Sequence, residues 1–124
     1  MDKETFIERI KVHVYDAEIK NVKSSLRDVS GRSPRKSTEA RSRWYNQLCD
    51  QDRAMVDEVI AVSVRSALSG MLKVIDGVRP IWDGDEPDGA CELRYRTEDG
   101  DEVLLTGGND PLRDIFIAIT PLKE

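Results

Sequence analysis

Residues 51–76, QDRAMVDEVIAVSVRSALSGMLKVID, carry apolar side chains at helical spacing along their whole length. Val56, Ile60, Val64, Ala67, Leu68, Met71, Leu72 and Ile75 fall on one wide stripe, and Asp57, Glu58, Arg65 and Lys73 lie off it. The spacing predicts a long central helix over 51–75. A stripe of this length has to be covered, because helix propensity alone rarely holds a helix in water. Asp50 is the expected N-cap. Asp52, Asp57 and Glu58 suit the positive end of the helix dipole and Lys73 the negative end. Gly77 stands where a left-handed C-cap is expected. Gly70 breaks the pattern. A glycine inside a helix costs about 1 kcal/mol relative to alanine, so the close approach of another backbone, such as that of the first helix, is expected there.

The first part of the chain predicts a second long helix, from about Lys3 to Asp28. Ile7, Ile10 and Val14 form one stripe, and Val12, Tyr15, Ile19, Val22, Leu26 and Val29 form another. The two stripes do not coincide. Either the helix bends near His13 or its two ends pack against different neighbours. SGRSPRKST, Ser30 to Thr38, reads as a loop stopped by Gly31 and Pro34. A short helix then places Ala40, Trp44 and Leu48 on one face.

After Gly77 the period changes. CELRYR alternates, with Cys91, Leu93 and Tyr95 on one side, as in a half-buried strand. TEDGD supplies the hairpin turn, at Glu98 to Asp101, and EVLLT returns. Asp110 is the expected cap of a last helix with Pro111 at its first position and Leu112, Ile115, Phe116 and Ile119 on its apolar face. A two-stranded hairpin is not stable alone. The fold class expected is α+β: one domain over 1–124, a helical body with one antiparallel hairpin packed on it.

Charge is unevenly distributed. Residues 1–75 carry 14 Lys and Arg against 11 Asp and Glu, whereas residues 76–124 carry 5 against 13, in a chain of net charge −5. The excess centres on DGDEPDG, Asp83 to Gly89. Such asymmetry points to a partner of opposite sign. The basic spot around Arg27, Arg32, Arg35, Lys36, Arg41 and Arg43 lacks interleaved aromatics and belongs to an acidic protein, so nucleic acid is not the expected partner.

The chemical motifs are weak. Numbered from Asp83 as a calcium loop, the fifth position is Pro87, the sixth Asp88 and the twelfth Arg94, where oxygen, glycine and glutamate are required. No metal or cofactor is expected. His13, the one histidine, has no local Ser or Cys partner, and TGGND lacks the lysine and hydroxyl of a phosphate loop. The acids sit in a Gly- and Pro-bearing loop, where nothing splits carboxylates into acid and base. An enzyme is not expected. Cys49 and Cys91 have no metal-like spacing and read as buried or half-buried thiols of a reducing cytoplasm. MDKETFIERI has no apolar h-region and is not a signal peptide. No apolar run reaches the roughly 18 residues of a membrane span.

SALSGMLKVIDGV, preceded by GRSPRK and SRWYNQL and followed by CELRYRTEDGDEVLLTGGNDPLRDIF, resembles a family of short bacterial cytoplasmic proteins of unassigned function, similar to the immunity proteins of polymorphic and contact-dependent toxin systems. The resemblance runs from about Ser25 to Phe116. Similar chains are more apolar around Ser69 and Lys73. The resemblance implies a cytoplasmic inhibitor that binds a basic toxin domain, such as a nuclease, directly. A carboxylate-rich surface steers a cationic partner to fast encounter. The expected partner-binding residues are Asp83, Asp85, Glu86 and Asp88 with Glu98, Asp99, Asp101 and Glu102 of the hairpin turn, and Trp82 as the aromatic anchor. The competing reading is an adaptor or regulatory protein acting through homodimerisation or helix packing on the long helix. Weaker still is an enzyme built on the acidic cluster.

Overall fold

The computed structural model describes residues 1–29, 31 and 33–122. The fold is α+β and mainly helical. In order it comprises α1 (Lys3–Ile10), a π-helical segment (Lys11–Asp16), α2 (Ala17–Arg27), α3 (Lys36–Gln47), α4 (Asp50–Ile75), β1 (Arg94–Arg96), β2 (Glu102–Leu104) and α5 (Leu112–Ile119).

The N-terminal helix begins at Asp2, whose carboxylate accepts the Thr5 amide at 2.7 Å. Helical backbone then runs unbroken through α1, the π segment and α2. The two mismatched stripes of the sequence meet at the π segment. A wider turn inserts extra rotation, so Ile7 at one end is buried, Tyr15 packs against the same core, and Leu26 at the other end is buried. Val12 and Val22, which the second stripe would bury, are exposed.

Two groups of contacts hold the helices. In the main core Ile7, Leu72, Leu112 and Phe116 are buried together, flanked by Phe6, Tyr15, Leu68, Ile75, Leu93, Ile115 and Ile119. Tyr15 meets Phe116 edge to face, 5.7 Å between centroids, a geometry worth about 0.5–1.5 kcal/mol beyond area burial. At the other end α3 closes α2. Ser42 Oγ donates to the Leu26 carbonyl at 2.8 Å and Asn46 Nδ2 to the Arg27 carbonyl at 3.1 Å, so side chains of α3 satisfy carbonyls that the end of α2 leaves open. Tyr45 is buried and donates to Asp57 of α4 at 2.9 Å. The expected face of Ala40, Trp44 and Leu48 is therefore not the packed one: Trp44 is exposed, and α3 turns Ser42 and Tyr45 inward, one residue round. The helix also starts at Lys36, inside the expected loop.

α4 runs Asp50–Ile75, as the stripe predicts, with two differences at its ends and one in its middle. Asp50 lies inside the first turn, paired with Arg53, and Cys49 occupies the cap position. At the C-terminus Gly77 takes φ +79°, and Val78 N–H bonds to the Lys73 carbonyl while Gly77 N–H bonds to that of Val74. This is the Schellman arrangement, and the positive φ explains the glycine. At Gly70 the close neighbour is not a backbone. A Cβ there would lie 2.7 Å from Nη1 of Arg79.

α4 also clamps both ends of α5. Asp76 accepts the amides of Leu112 at 3.0 Å and Arg113 at 2.9 Å, through one carboxylate oxygen each. Arg65 donates to the carbonyls of Ile117 and Thr120 at the opposite end. The carboxylate thus meets the positive end of the α5 dipole and the guanidinium the negative end. Asp110 makes no cap. Pro111 is the N-cap residue, without a side chain to accept, and Asp76 does the capping across the fold.

The hairpin pairs Arg94 with Leu104, Tyr95 with Val103 and Arg96 with Glu102. The Leu105 amide donates to the Leu93 carbonyl at 2.7 Å, closing its base. The turn falls at the expected residues, with the Gly100 amide bonded to the Thr97 carbonyl and the Thr97 amide to the Asp101 carbonyl. The strands are shorter than the alternating run suggests. The hairpin is held to the body by its base, where Leu105 is buried and Leu93 packs on the core. Tyr95, Val103 and Leu104 are exposed. Among the described residues no helix is long and apolar enough to cross a membrane.

Candidate functional site

The nine residues singled out in the sequence fall into two groups. Asp83, Asp85, Glu86 and Asp88 lie on the loop that leaves the C-terminus of α4, and all four are exposed. Glu98, Asp99 and Asp101 lie at the tip of the hairpin, also exposed. Among the described residues no hydrogen bond or ion pair joins the two groups. The tip stands three paired residues beyond the anchored base, roughly 10 Å at strand rise.

The acids differ in what they face. Asp16, Asp50, Asp57, Glu92, Glu102 and Asp114 each have a Lys or Arg within ion-pairing distance. Glu102 sits beneath Arg96, at 2.6 Å, because the register places them directly across the hairpin. Its charge is partly compensated, so it belongs to the strand rather than to a free acidic surface. Asp83, Asp85, Glu86, Asp88, Glu98 and Asp99 make no ion pair or side-chain hydrogen bond among the described residues. Their potential is directed into solvent.

Trp82 is half-buried. It lines a shallow groove of about 400 Å³ between the end of α4 and the returning chain, together with Val74, Ile81, Pro87, Asp88 and Cys91. Two apolar residues that the sequence reading passed over add to this edge: Val78 is 58 % exposed and Ile81 64 % exposed. The signal was the run GVRPIW directly ahead of the acids, in which Pro80 prevents helix. The loop acids thus stand beside an apolar surface that has an aromatic ring in its wall.

Other candidates are placed as follows. Among the described residues no group of three His, Cys, Asp or Glu side chains converges as metal ligands would. His13 lies exposed on the π segment. Cys49 and Cys91 are exposed rather than buried, because one occupies a helix cap and the other an extended stretch before β1. Of the basic loop Arg32 to Lys36, Arg32 lies outside the described residues, while Arg35 and Lys36 are exposed at the start of α3. Arg27 pairs with Asp57 at 3.1 Å, and the Tyr45 oxygen, then the Asp57 carboxylate, hold its guanidinium pKa above the usual value. No family model, curated protein or solved structure matches the chain.

Proposed function

We propose that the protein acts by binding another protein, as a cytoplasmic immunity-type inhibitor of a basic toxin domain, and that Asp83, Asp85, Glu86 and Asp88 with Trp82 form the contact. The observation that carries the reading is the density of unpaired acids beside an apolar groove. Among the described residues six carboxylates, Asp57 and Glu102 among them, have a lysine or arginine beside them, whereas the loop packs four unpaired acids into Asp83 to Asp88 beside an apolar groove. Uncompensated charge raises the rate at which an oppositely charged partner arrives. An apolar groove with an aromatic wall supplies the contacts that slow its departure. The hairpin tip, with Glu98, Asp99 and Asp101, extends the same field to a second point of approach.

The test begins with tagged protein recovered from its native host and identification of what it retains. Binding kinetics then separate the two contributions. Reversing Asp83, Asp85 and Asp88 to lysine is expected to slow association at least tenfold at low salt, with the loss shrinking as salt rises. Trp82→Ala is expected to speed dissociation. Association rates unchanged by the triple reversal would retire the acidic loop as the docking site. The same outcome would turn attention to the basic start of α3.

A further inference from the structure

The basic stretch at α3 lacks an interleaved aromatic only if Trp44 packs inward with Ala40 and Leu48. The structure turns Trp44 outward, 52 % exposed. Lys36, Ala40, Arg43, Trp44 and Gln47 recur at steps of three and four, so they share one side of α3, opposite the buried Ser42 and Tyr45, and all five are exposed. Arg41 flanks this side one turn before Trp44, and Arg35 stands at its beginning. Arg35, Lys36, Arg41 and Arg43 are exposed and make no ion pair among the described residues. Between residues 33 and 48 these four cations face one acid, Glu39. Several of these side chains do nothing for the fold. The exposed indole forfeits most of what its burial would contribute. Arg35 and Lys36 stand at the positive end of the α3 dipole, where positive charge is unfavourable, and no side chain caps the amides there.

We propose that the outward side of α3 binds single-stranded nucleic acid, with a base stacked on Trp44 and phosphates held by Arg35, Lys36, Arg41 and Arg43. Single-strand binding needs a cationic track and an aromatic ring for an unpaired base, and the stack tolerates any base. This side of α3 has both. A duplex keeps its base faces inside the stack and offers nothing to an indole on a convex helix surface. An acidic peptide offers charge to the arginines but no planar face to the ring. Phosphate at the start of α3 also relieves the clash between Arg35, Lys36 and the helix dipole. The acids of the chain lie far off. Tyr45, next to Trp44, bonds to Asp57, and the acidic loop leaves α4 after Asp76, 19 residues on (76 − 57) or roughly 28 Å of helix. That is more than two Debye lengths at about 0.1 M salt. The surface is separate from the loop at Asp83 to Asp88, and the proposal does not depend on the function proposed above.

Fluorescence anisotropy of a labelled oligothymidylate of about 12 nucleotides tests it, with dissociation expected at roughly 1–100 µM in about 50 mM salt. The logarithm of affinity should fall against that of salt with a slope of about −0.7 per phosphate held, hence about −2.8 for four contacts and about −1.4 in Arg41→Gln/Arg43→Gln. In a Trp82→Phe background the emission of Trp44 should be quenched as the strand binds. Trp44→Ala should weaken binding at least about fivefold and leave the slope unchanged. The Arg41, Arg43 and Trp44 variants alter only exposed positions, and unchanged circular dichroism is expected of them. No binding at about 500 µM protein, a duplex of the same length bound equally well, or an affinity unchanged in Trp44→Ala overturns the proposal. Polyglutamate of the same length bound as tightly as the oligothymidylate overturns it too, and gives this side of α3 to an acidic protein segment.

Discussion

Replacing Asp76 by alanine removes a cap that no local residue can replace. Its two oxygens accept the amides of Leu112 and Arg113, the first donors of a helix that buries Leu112 and Phe116 in the main core. Loss of an N-cap costs about 0.5–2 kcal/mol, and the favourable charge–dipole contact contributes about 0.3–1 kcal/mol more. Asp76 is only half-buried, so water recovers part of the loss at the freed amides. The expected destabilisation is about 2 kcal/mol. For a chain of 124 residues this lowers Tm by roughly 6–10 °C. Asp76→Asn retains one acceptor and loses the charge, and about 1 kcal/mol is expected. Urea denaturation of the three proteins gives the stabilities, and amide exchange at Leu112 and Arg113 gives the local effect. A loss under about 0.5 kcal/mol in Asp76→Ala, with protection at both amides intact, would refute the capping role, since it lies at or below the range measured for such caps.

Three further outcomes are expected. Ser69 Oγ is buried and has no hydrogen-bond partner among the described residues, so Ser69→Ala should raise stability by about 1 kcal/mol; a loss on denaturation would reveal a partner for the hydroxyl. Gly70→Ala should raise stability by roughly 0.5–1 kcal/mol, because the obstructing atom is the tip of the flexible, exposed Arg79 side chain and the helix gains propensity; a fall in Tm would show that Arg79 is held there. The Thr5 amide, then the Thr5 hydroxyl, hold the Asp2 carboxyl below its usual 3.8. The stability this cap contributes is therefore fully present above pH 3.8 and disappears as pH falls through the lowered folded value. An NMR titration of the Asp2 carboxyl with an ordinary midpoint would contradict this.

The features legible in the sequence are those decided within a few residues. The extent of α4, its Gly77 cap and the Asp-Gly hairpin turn each depend on neighbours four or fewer positions away, and each stands where the pattern put it. The contacts that were not legible join residues far apart in the chain. Asp76 reaches Leu112, and Arg65 reaches Ile117 and Thr120, so nothing beside Asp110 could show that its capping role was already filled. The packed face of α3 was hidden for a different reason. Ser42 and Tyr45 bury polar atoms that are satisfied by α2 and α4, and a search for apolar spacing selects Trp44 instead. At the candidate site the acids were visible as composition. Which of them remain uncompensated depends on strand register, which sets Arg96 against Glu102 and leaves the loop acids alone.

The grip of Asp76 on Leu112 and Arg113 has a consequence for everything between them. Residues 77–111 depart from the end of α4 and return to the same place, because the residue that ends one helix also starts the other. Their beginning and end are tied by the body, as is the base of the hairpin, whereas the acidic loop and the hairpin tip are exposed. The acidic loop and the hairpin thus behave as an exchangeable cassette on a fixed socket. Within them the exposed loop at Asp83 to Asp88 and the hairpin tip touch no core residue of α4 or α5, so their charge and length are expected to be replaceable. The base of the hairpin at Leu93 and Leu105 is the part that has to be retained. A chain organised this way can acquire a new partner by replacing one segment, while the helices that keep it folded remain as they are.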